Sequence, residues 1–261
     1  ARKLNVLVAE DHPINQVLIA AILTGLGHSF SLAKNGVEVL QLLDHEPAGH
    51  PFDLVLMDGQ MPEMDGYQAT AEIRRREQAS GRHLHIIAVT ANAMKDDREV
   101  CLAAGMDDYM TKPIDTDQLV ERLEASQIKR GEGDRQPPLV QAAPAGLGRA
   151  FDLDSALKRS RGKVTLLKQL AGLFLQDLPG TLSDLQLAIA SGDARGIERL
   201  AHRLRGAAFT ISAEPLAESA NRLEQIGKNK EFDRVQEAVR ELQARAAELA
   251  TELAALTEND T

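Results

Sequence analysis

Several polar residues in the first half of the chain stand where apolar runs end. Leu54-Val55-Leu56-Met57 closes on Asp58, which is followed by Gly59-Gln60-Met61-Pro62-Glu63-Met64-Asp65-Gly66. Leu4 to Val8 leads into Ala9-Glu10-Asp11, Ile86 to Val89 into Thr90, and Tyr109-Met110 into Thr111-Lys112-Pro113. Short apolar runs bounded by turn residues read as strands. Glu10, Asp11, Asp58, Thr90 and Lys112 are therefore expected at strand C-terminal tips, the edge of an open α/β sheet where ligands bind. Singly, each has a plainer reading: a turn or helix start for the acids, a strand-end hydroxyl for Thr90, a solvated charge for Lys112. Jointly they bring three carboxylates, a hydroxyl and an ammonium together. Crowded carboxylates raise one another's pKa unless a cation lies among them, and a small all-oxygen cage suits Mg²⁺. Phosphoryl transfer asks for positioning and charge neutralisation, so the metal, Lys112 and Thr90 could each take one oxygen of a phosphoryl group on a nucleophilic Asp58.

A second candidate is His202, in Leu200-Ala201-His202-Arg203-Leu204-Arg205-Gly206. A helix is expected from Asp193 to Ile211 with Ile197, Leu200, Leu204, Ala208 and Ile211 on its apolar stripe, which leaves His202 on the opposite side facing water. Glu198, Arg205, Gly206 and Phe209 are its helical neighbours. An exposed His is most often only a polar surface residue. Gly206, however, costs a helix about 1 kcal/mol relative to Ala and removes bulk one turn away. Arg205 would set a cation beside a phosphate on the imidazole, and Phe209 would be an exposed apolar docking contact.

The elements that must position these residues follow from periodicity. Before the linker, five short apolar runs (Leu4–Val8, Phe30–Ala33, Asp53–Met57, Ile86–Val89, Tyr109–Met110) alternate with stretches of helical spacing, as in Ile14, Val17, Leu18, Ala21, Ile22. Strands alternating with helices imply a parallel sheet covered on both faces. Residues 126–150 carry Gly131, Gly133, Pro137, Pro138, Pro144, Gly146 and Gly148 and read as a flexible linker; about 25 residues of that kind reach roughly 25 to 30 Å. From Phe151 on, only helical periodicity is left. Pro179-Gly180 is expected to break or kink one helix. Phe232, Val235, Val239, Leu242, Ala246, Leu249, Leu253 and Leu256 form a seam for packing against other helices. Four or five helices argue for an antiparallel bundle. The domains are thus 1–125, the linker 126–150, and 151–261.

Composition excludes several classes. A formal net charge of -9 without a basic run disfavours direct nucleic-acid binding. The one cysteine, Cys101, permits no internal disulfide and suits a reducing compartment. No run of eighteen apolar residues is present, so no membrane segment is expected in this chain. It reads as soluble and cytoplasmic, and as a stretch that a longer, membrane-anchored parent could contain.

The segments Glu10-Asp11, Met57-Asp58 with Met61-Pro-Glu-Met-Asp-Gly66, Thr90-Ala91 and Tyr109-Met-Thr-Lys112-Pro113 resemble the receiver domain of two-component response regulators, over Leu4 to about Ala125. That resemblance implies a flavodoxin-like strand order 2-1-3-4-5 and Asp58 as phosphoacceptor. It implies Mg²⁺ held by Asp11, Asp58 and the backbone carbonyl of Gln60 with Glu10 assisting. It makes Thr90 and Tyr109 the switch pair and Lys112 the phosphoryl ligand, with a cis bond before Pro113. Gly59 stands where the family commonly has a larger residue, which bears on how well the site is shielded from water. The His202 segment resembles the histidine phosphotransfer domain, over Phe151 to Leu256, with Arg205 where that family typically has Lys and without a glycine usual near Thr210-Ile211-Ser212.

A receiver followed by a phosphotransfer bundle is similar to the C-terminal part of a hybrid sensor histidine kinase. The implied partners are a histidine kinase domain, in the same parent or another chain, and a downstream response regulator. Nothing in the chain resembles an ATP-binding kinase segment. Competing readings are a non-catalytic interaction scaffold and a Mg²⁺-dependent aspartyl phosphatase, which would want a second Asp where Gln60 stands.

Overall fold

The computed structural model describes residues 2–46, 51–90, 95–128 and 150–258. The chain forms two compact units, Ala1–Pro144 and Ala145–Thr261. Ala91 and most of the expected linker, residues 129–149, lie outside the described residues.

In the first unit β1 (Asn5–Ala9), α1 (Pro13–Gly25), β2 (Ser29–Ala33), α2 (Gly36–Asp44), β3 (Leu54–Asp58), α3 (Gly66–Ser80), β4 (His85–Thr90), α4 (Lys95–Ala103), β5 (Asp108–Thr111) and α5 (Thr116–Ile128) alternate strictly. The strands pair in parallel in the order β2-β1-β3-β4-β5, as the alternation and the receiver resemblance anticipate. Central β3 is buried along its whole length and β4 from Ile86 to Thr90, because helices cover both faces. Edge strand β2 keeps exposed positions. One side of the sheet packs Leu7, Val55, Met57, Ile86 and Ala88 against Val39, Leu40, Ala69, Ile73 and Cys101 of the helices; Cys101 is a buried apolar helix residue.

Local chemistry fixes where helices begin. Pro13 occupies the first turn of α1, and the His12 side chain caps it by accepting from Ile14 N. Asp65 and Gln68 close a capping box at the start of α3. A Cβ at Gly66 would lie 2.1 Å from Asp58 O, so only glycine lets α3 start against the end of β3. α5 runs on to Ile128, into the stretch read as linker.

The second unit contains α6 (Leu153–Arg159), α7 (Val164–Ala190), α8 (Ala194–Thr210), α9 (Glu214–Asn229) and α10 (Val235–Glu258), with a 3-10 turn at Phe232–Arg234. α8 and its Asp193 N-cap stand where the sequence puts them. Two expectations are corrected. Pro179 does not break its helix: α7 is continuous, because Leu178, Thr181 and Leu185 on either side are buried while Pro179 and Gly180 face out. In the C-terminal seam, Val235, Val239, Leu242, Ala246, Leu249 and Leu253 are buried within the unit, but Phe232 precedes α10 and is 37% exposed. Helices α6 and α9 add to the elements expected from periodicity. Leu216, Ala217, Ala220, Leu223 and Ile226, all buried, carry the spacing that would have revealed α9. A Cβ on Gly227 would lie 2.7 Å from Glu198 N and 2.8 Å from Ala194 O, so this glycine allows the late part of α9 to close on the early part of α8. His202, later on α8 than Glu198, pairs with Glu224, earlier on α9 than Gly227, so the two helices run antiparallel.

Candidate functional site

The strand-end residues of the first unit converge as their positions require. Asp58 ends β3 and is opposite Val89, one residue before Thr90. Lys112 N donates to Thr90 O at 2.6 Å, which fixes the lysine beside the end of β4. The Lys112-Pro113 peptide bond is cis. Lys112 Nζ donates to Asp58 Oδ2 at 2.6 Å and lies 2.8 Å from Glu10 Oε2. Glu10, Asp58 and Lys112 are all buried. Carboxylate oxygens of Glu10, Asp11 and Asp58 lie within 4.8 Å of one another.

These charges shape one another. Burial alone would lower the Lys112 ammonium pKa, but the Asp58 and Glu10 carboxylates outweigh it and hold the group above the usual lysine value. Burial likewise pushes Glu10 up; the Lys112 charge, with hydrogen bonds from Lys112, Asn15 and His12 N, overcomes that and leaves Glu10 below the ordinary glutamate range. Asn15 Nδ2 and His12 N both donate to Glu10 Oε1, at 2.9 and 3.1 Å. The site thus favours the ionised form of Glu10. Three carboxylates offering only hard oxygen donors are a cage for a small divalent cation.

The remaining expected residues fall around this centre. Gln60 N donates to Asp58 Oδ1 at 3.1 Å, tying the loop after β3 to the carboxylate, and its side chain is exposed. Thr90 is buried at the tip of β4. Tyr109 stands opposite Ala88 on β5, half-buried against the core, with the Arg98 and Arg122 guanidinium carbons each 5.9 Å from its ring centroid. A Cβ at Gly59 would meet Tyr67 Oη at 3.0 Å and Cζ at 3.2 Å. Tyr67 of α3 therefore supplies the bulk that position 59 lacks.

In the second unit three expectations change. The His202 imidazole does not stand free in water: its side chain is 12% exposed and is seated between α8 and α9, with Nδ1 3.1 Å from Glu224 Oε1. Among the described residues no hydrogen bond reaches its Nε2. Arg205 is not held out beside the imidazole either. It is 4% exposed and turned inward, with Nη1 donating to Asn221 Oδ1 at 2.8 Å and Nε 3.1 Å from Glu224 Oε2. The reason is α9, whose Asn221 and Glu224 draw the guanidinium into the seam. Gly206 is buried beneath, its carbonyl accepting from Thr210 Oγ1 at 3.0 Å. Phe209 is half-buried rather than exposed, and its carbonyl accepts from Arg159 Nη1. The glycine missing near the end of α8 is matched by Ser212, which takes φ 61° in the left-handed region.

A response regulator receiver domain matches residues 6–124 and an Hpt domain residues 169–258. Sensor histidine kinase GacS of Pseudomonas protegens is 33% identical over 236 residues, 88% of this chain and 25% of that protein. Virulence sensor protein BvgS of Bordetella bronchiseptica is 34% identical over 266 residues, 98% of this chain and 21% of its own length. The crystal structure of the receiver domain of Pseudomonas aeruginosa sensor histidine kinase PA1611, with a magnesium ion in its active site cleft, is 40% identical over 48% of this chain and 97% of that domain, with a TM-score of 0.42.

The chain belongs to the two-component phosphorelay proteins, with a receiver domain followed by an Hpt domain. Its relatives are hybrid sensor histidine kinases, matched in their C-terminal part, and it spans about a quarter or less of their length.

Proposed function

We propose that Asp58 accepts a phosphoryl group from a kinase phosphohistidine and that His202 relays it to or from the aspartate of a response regulator. The kinase domain that loads Asp58 belongs to the same parent or to another chain, and the exchange takes place in the cytoplasm. The observation that carries this reading is the convergence of Glu10, Asp11 and Asp58 with Lys112 Nζ 2.6 Å from the Asp58 carboxylate. A carboxylate oxygen of Asp58 attacks phosphorus as the P–N bond to the donor imidazole breaks. Lys112 then neutralises a phosphoryl oxygen, with Thr90 offering its hydroxyl and Tyr109 reading out the change as the second switch residue.

The acids fit Mg²⁺. Asp11, Asp58 and the Gln60 carbonyl would hold it with Glu10 assisting, and when bound it would neutralise phosphoryl oxygens and align the group for in-line transfer. The second half-reaction moves the group to His202 Nε2, the ring nitrogen opposite the one facing Glu224. The absence of a second Asp at position 60 argues against a phosphatase that uses the aspartyl group for hydrolysis.

Incubating the full chain with acetyl phosphate tests the first step. The expected result is Mg²⁺-dependent phosphate incorporation that Asp58→Asn abolishes. Incorporation that is indifferent to both Asp58 and Mg²⁺ would overturn it and favour a scaffold that no longer accepts phosphate.

A further inference from the structure

Gly59 is buried although it has no side chain, while the next residue, Gln60, is exposed. The far end of the Tyr67 ring lies over it. A Cβ at Gly59 would meet Tyr67 Oη, Cζ and Cε2 at 3.0, 3.2 and 3.3 Å, ahead of any other atoms. The same side chain packs against the core cluster that includes Met57 and Met61. A tyrosine suits such a place because its body is apolar and its tip is polar. The backbone keeps the ring there: Tyr67 is the second residue of α3, Gly66 N donates to Gly59 O at 3.2 Å, and the Asp65–Gln68 capping box closes the first turn.

This cover adjoins the nucleophile. Asp58 turns Oδ2 to Lys112 and Oδ1 to the covered segment, where it accepts from Gln60 N at 3.1 Å. An aspartyl phosphate is wasted when a water oxygen attacks phosphorus. The P–O bond to the carboxylate then breaks, the Asp58 carboxylate leaves, and the water passes its proton to solvent, giving inorganic phosphate. Excluding water from a reactive intermediate suppresses such loss. Glycine gives the segment beside the carboxylate no cover of its own, so the shielding falls to α3. Without the ring end, a space beside the Gln60 amide and the Asp58 carboxylate would offer water both room and polar partners.

We propose that the far end of the Tyr67 ring keeps water from the segment 58–60 and so sets how long Asp58 holds a phosphoryl group. This rests on Asp58 being the phosphoacceptor. The ring carbons supply the cover, and the hydroxyl is not needed for it. The wall is fixed to a helix start, and a larger side chain at position 59 could take its place.

The test loads the full chain with acetyl phosphate and Mg²⁺ in a His202→Gln background, so that hydrolysis alone drains Asp58, then removes the donor and follows the acyl phosphate that is left. Tyr67→Leu keeps an apolar stem against the core but loses the ring end, and its acyl phosphate should disappear roughly tenfold faster than the parent's. Tyr67→Phe, which retains Cζ and Cε2, should stay within about threefold of the parent. Tyr67→Leu/Gly59→Met restores bulk over the same peptide and should recover most of the lifetime. In the unphosphorylated chains, the Gln60 amide should exchange its hydrogen with solvent faster in Tyr67→Leu and slow again in the double variant. A Tyr67→Leu lifetime equal to the parent's would overturn the proposal, and so would a shortened lifetime that the double variant does not restore. If no chain holds phosphate on Asp58, the relay reading fails, and the Gln60 amide still decides the role of Tyr67: exchange indifferent to Tyr67→Leu overturns the shielding, and faster exchange upholds it.

Discussion

Lys112 and Ser212 show how much one side chain can settle. Lys112 balances two buried carboxylates, and removing one partner from such a group leaves charge uncompensated. Lys112→Ala is expected to destabilise the receiver unit by about 3 kcal/mol in metal-free buffer. Mg²⁺ should then recover more stability in the variant than in wild type, as read by urea unfolding with and without the ion; equal recovery would remove the cation from the account. Ser212 combines φ 61° with a fully buried hydroxyl. Ser212→Gly relieves the backbone and removes a polar group from the interior, so the bundle should gain about 1 kcal/mol in thermal or urea denaturation. Asp58, Thr90 and Lys112 were legible in the sequence because each ends an apolar run, and strand tips in a parallel sheet share one edge. Glu224 was not, because its meaning depends on which part of α9 meets His202, 22 residues away, and spacing on one helix does not encode that.

Elements obey local signals until packing outweighs them. Pro179 is such a case: propensity argues for a break, yet buried residues on both sides carry α7 through. Pro179→Ala should therefore stabilise the bundle by about 1 to 2 kcal/mol, less than the ~3 kcal/mol propensity difference, because alanine also loosens the unfolded chain. Asp152 illustrates a helix start held by a side-chain cap. It accepts from Asp154 N and Ser155 N at the start of α6, and Ser155 Oγ donates to it at 2.6 Å. The Ser155 bonds hold its carboxyl below the usual aspartate value. A lowered folded-state value means stability that is present above the unfolded carboxylate value and lost as pH falls through the folded one. Asp152→Ala should cost about 1 kcal/mol at neutral pH, and its deficit relative to wild type should shrink below about pH 4. The strand and helix alternation of the first unit was readable throughout, whereas the orientation of side chains on α8 was not. Apolar periodicity puts His202 and Arg205 off the stripe, but α9 lays a polar, charged face against them and encloses both.

At the scale of the whole chain, a receiver and an Hpt domain on one polypeptide invite transfer between its own two sites. A tethered pair meets at an effective concentration around millimolar, well above working protein concentrations. Transfer from Asp58 to His202 is therefore expected to be independent of chain concentration in wild type, and slow and concentration-dependent in a mixture of Asp58→Asn with His202→Gln chains. Transfer that proceeds fully only in the mixture would contradict a route within one molecule.

The relay itself is tested most directly by loading the full chain with labelled phosphate and determining which bond holds the label. An acyl phosphate is lost in base and a phosphoimidazole in acid. Wild type is predicted to carry both kinds of label, His202→Gln only the base-labile kind, and Asp58→Asn neither when acetyl phosphate is the donor. Acid-labile phosphate that survives in His202→Gln, or base-labile phosphate that survives in Asp58→Asn, would contradict the assignment of these two side chains.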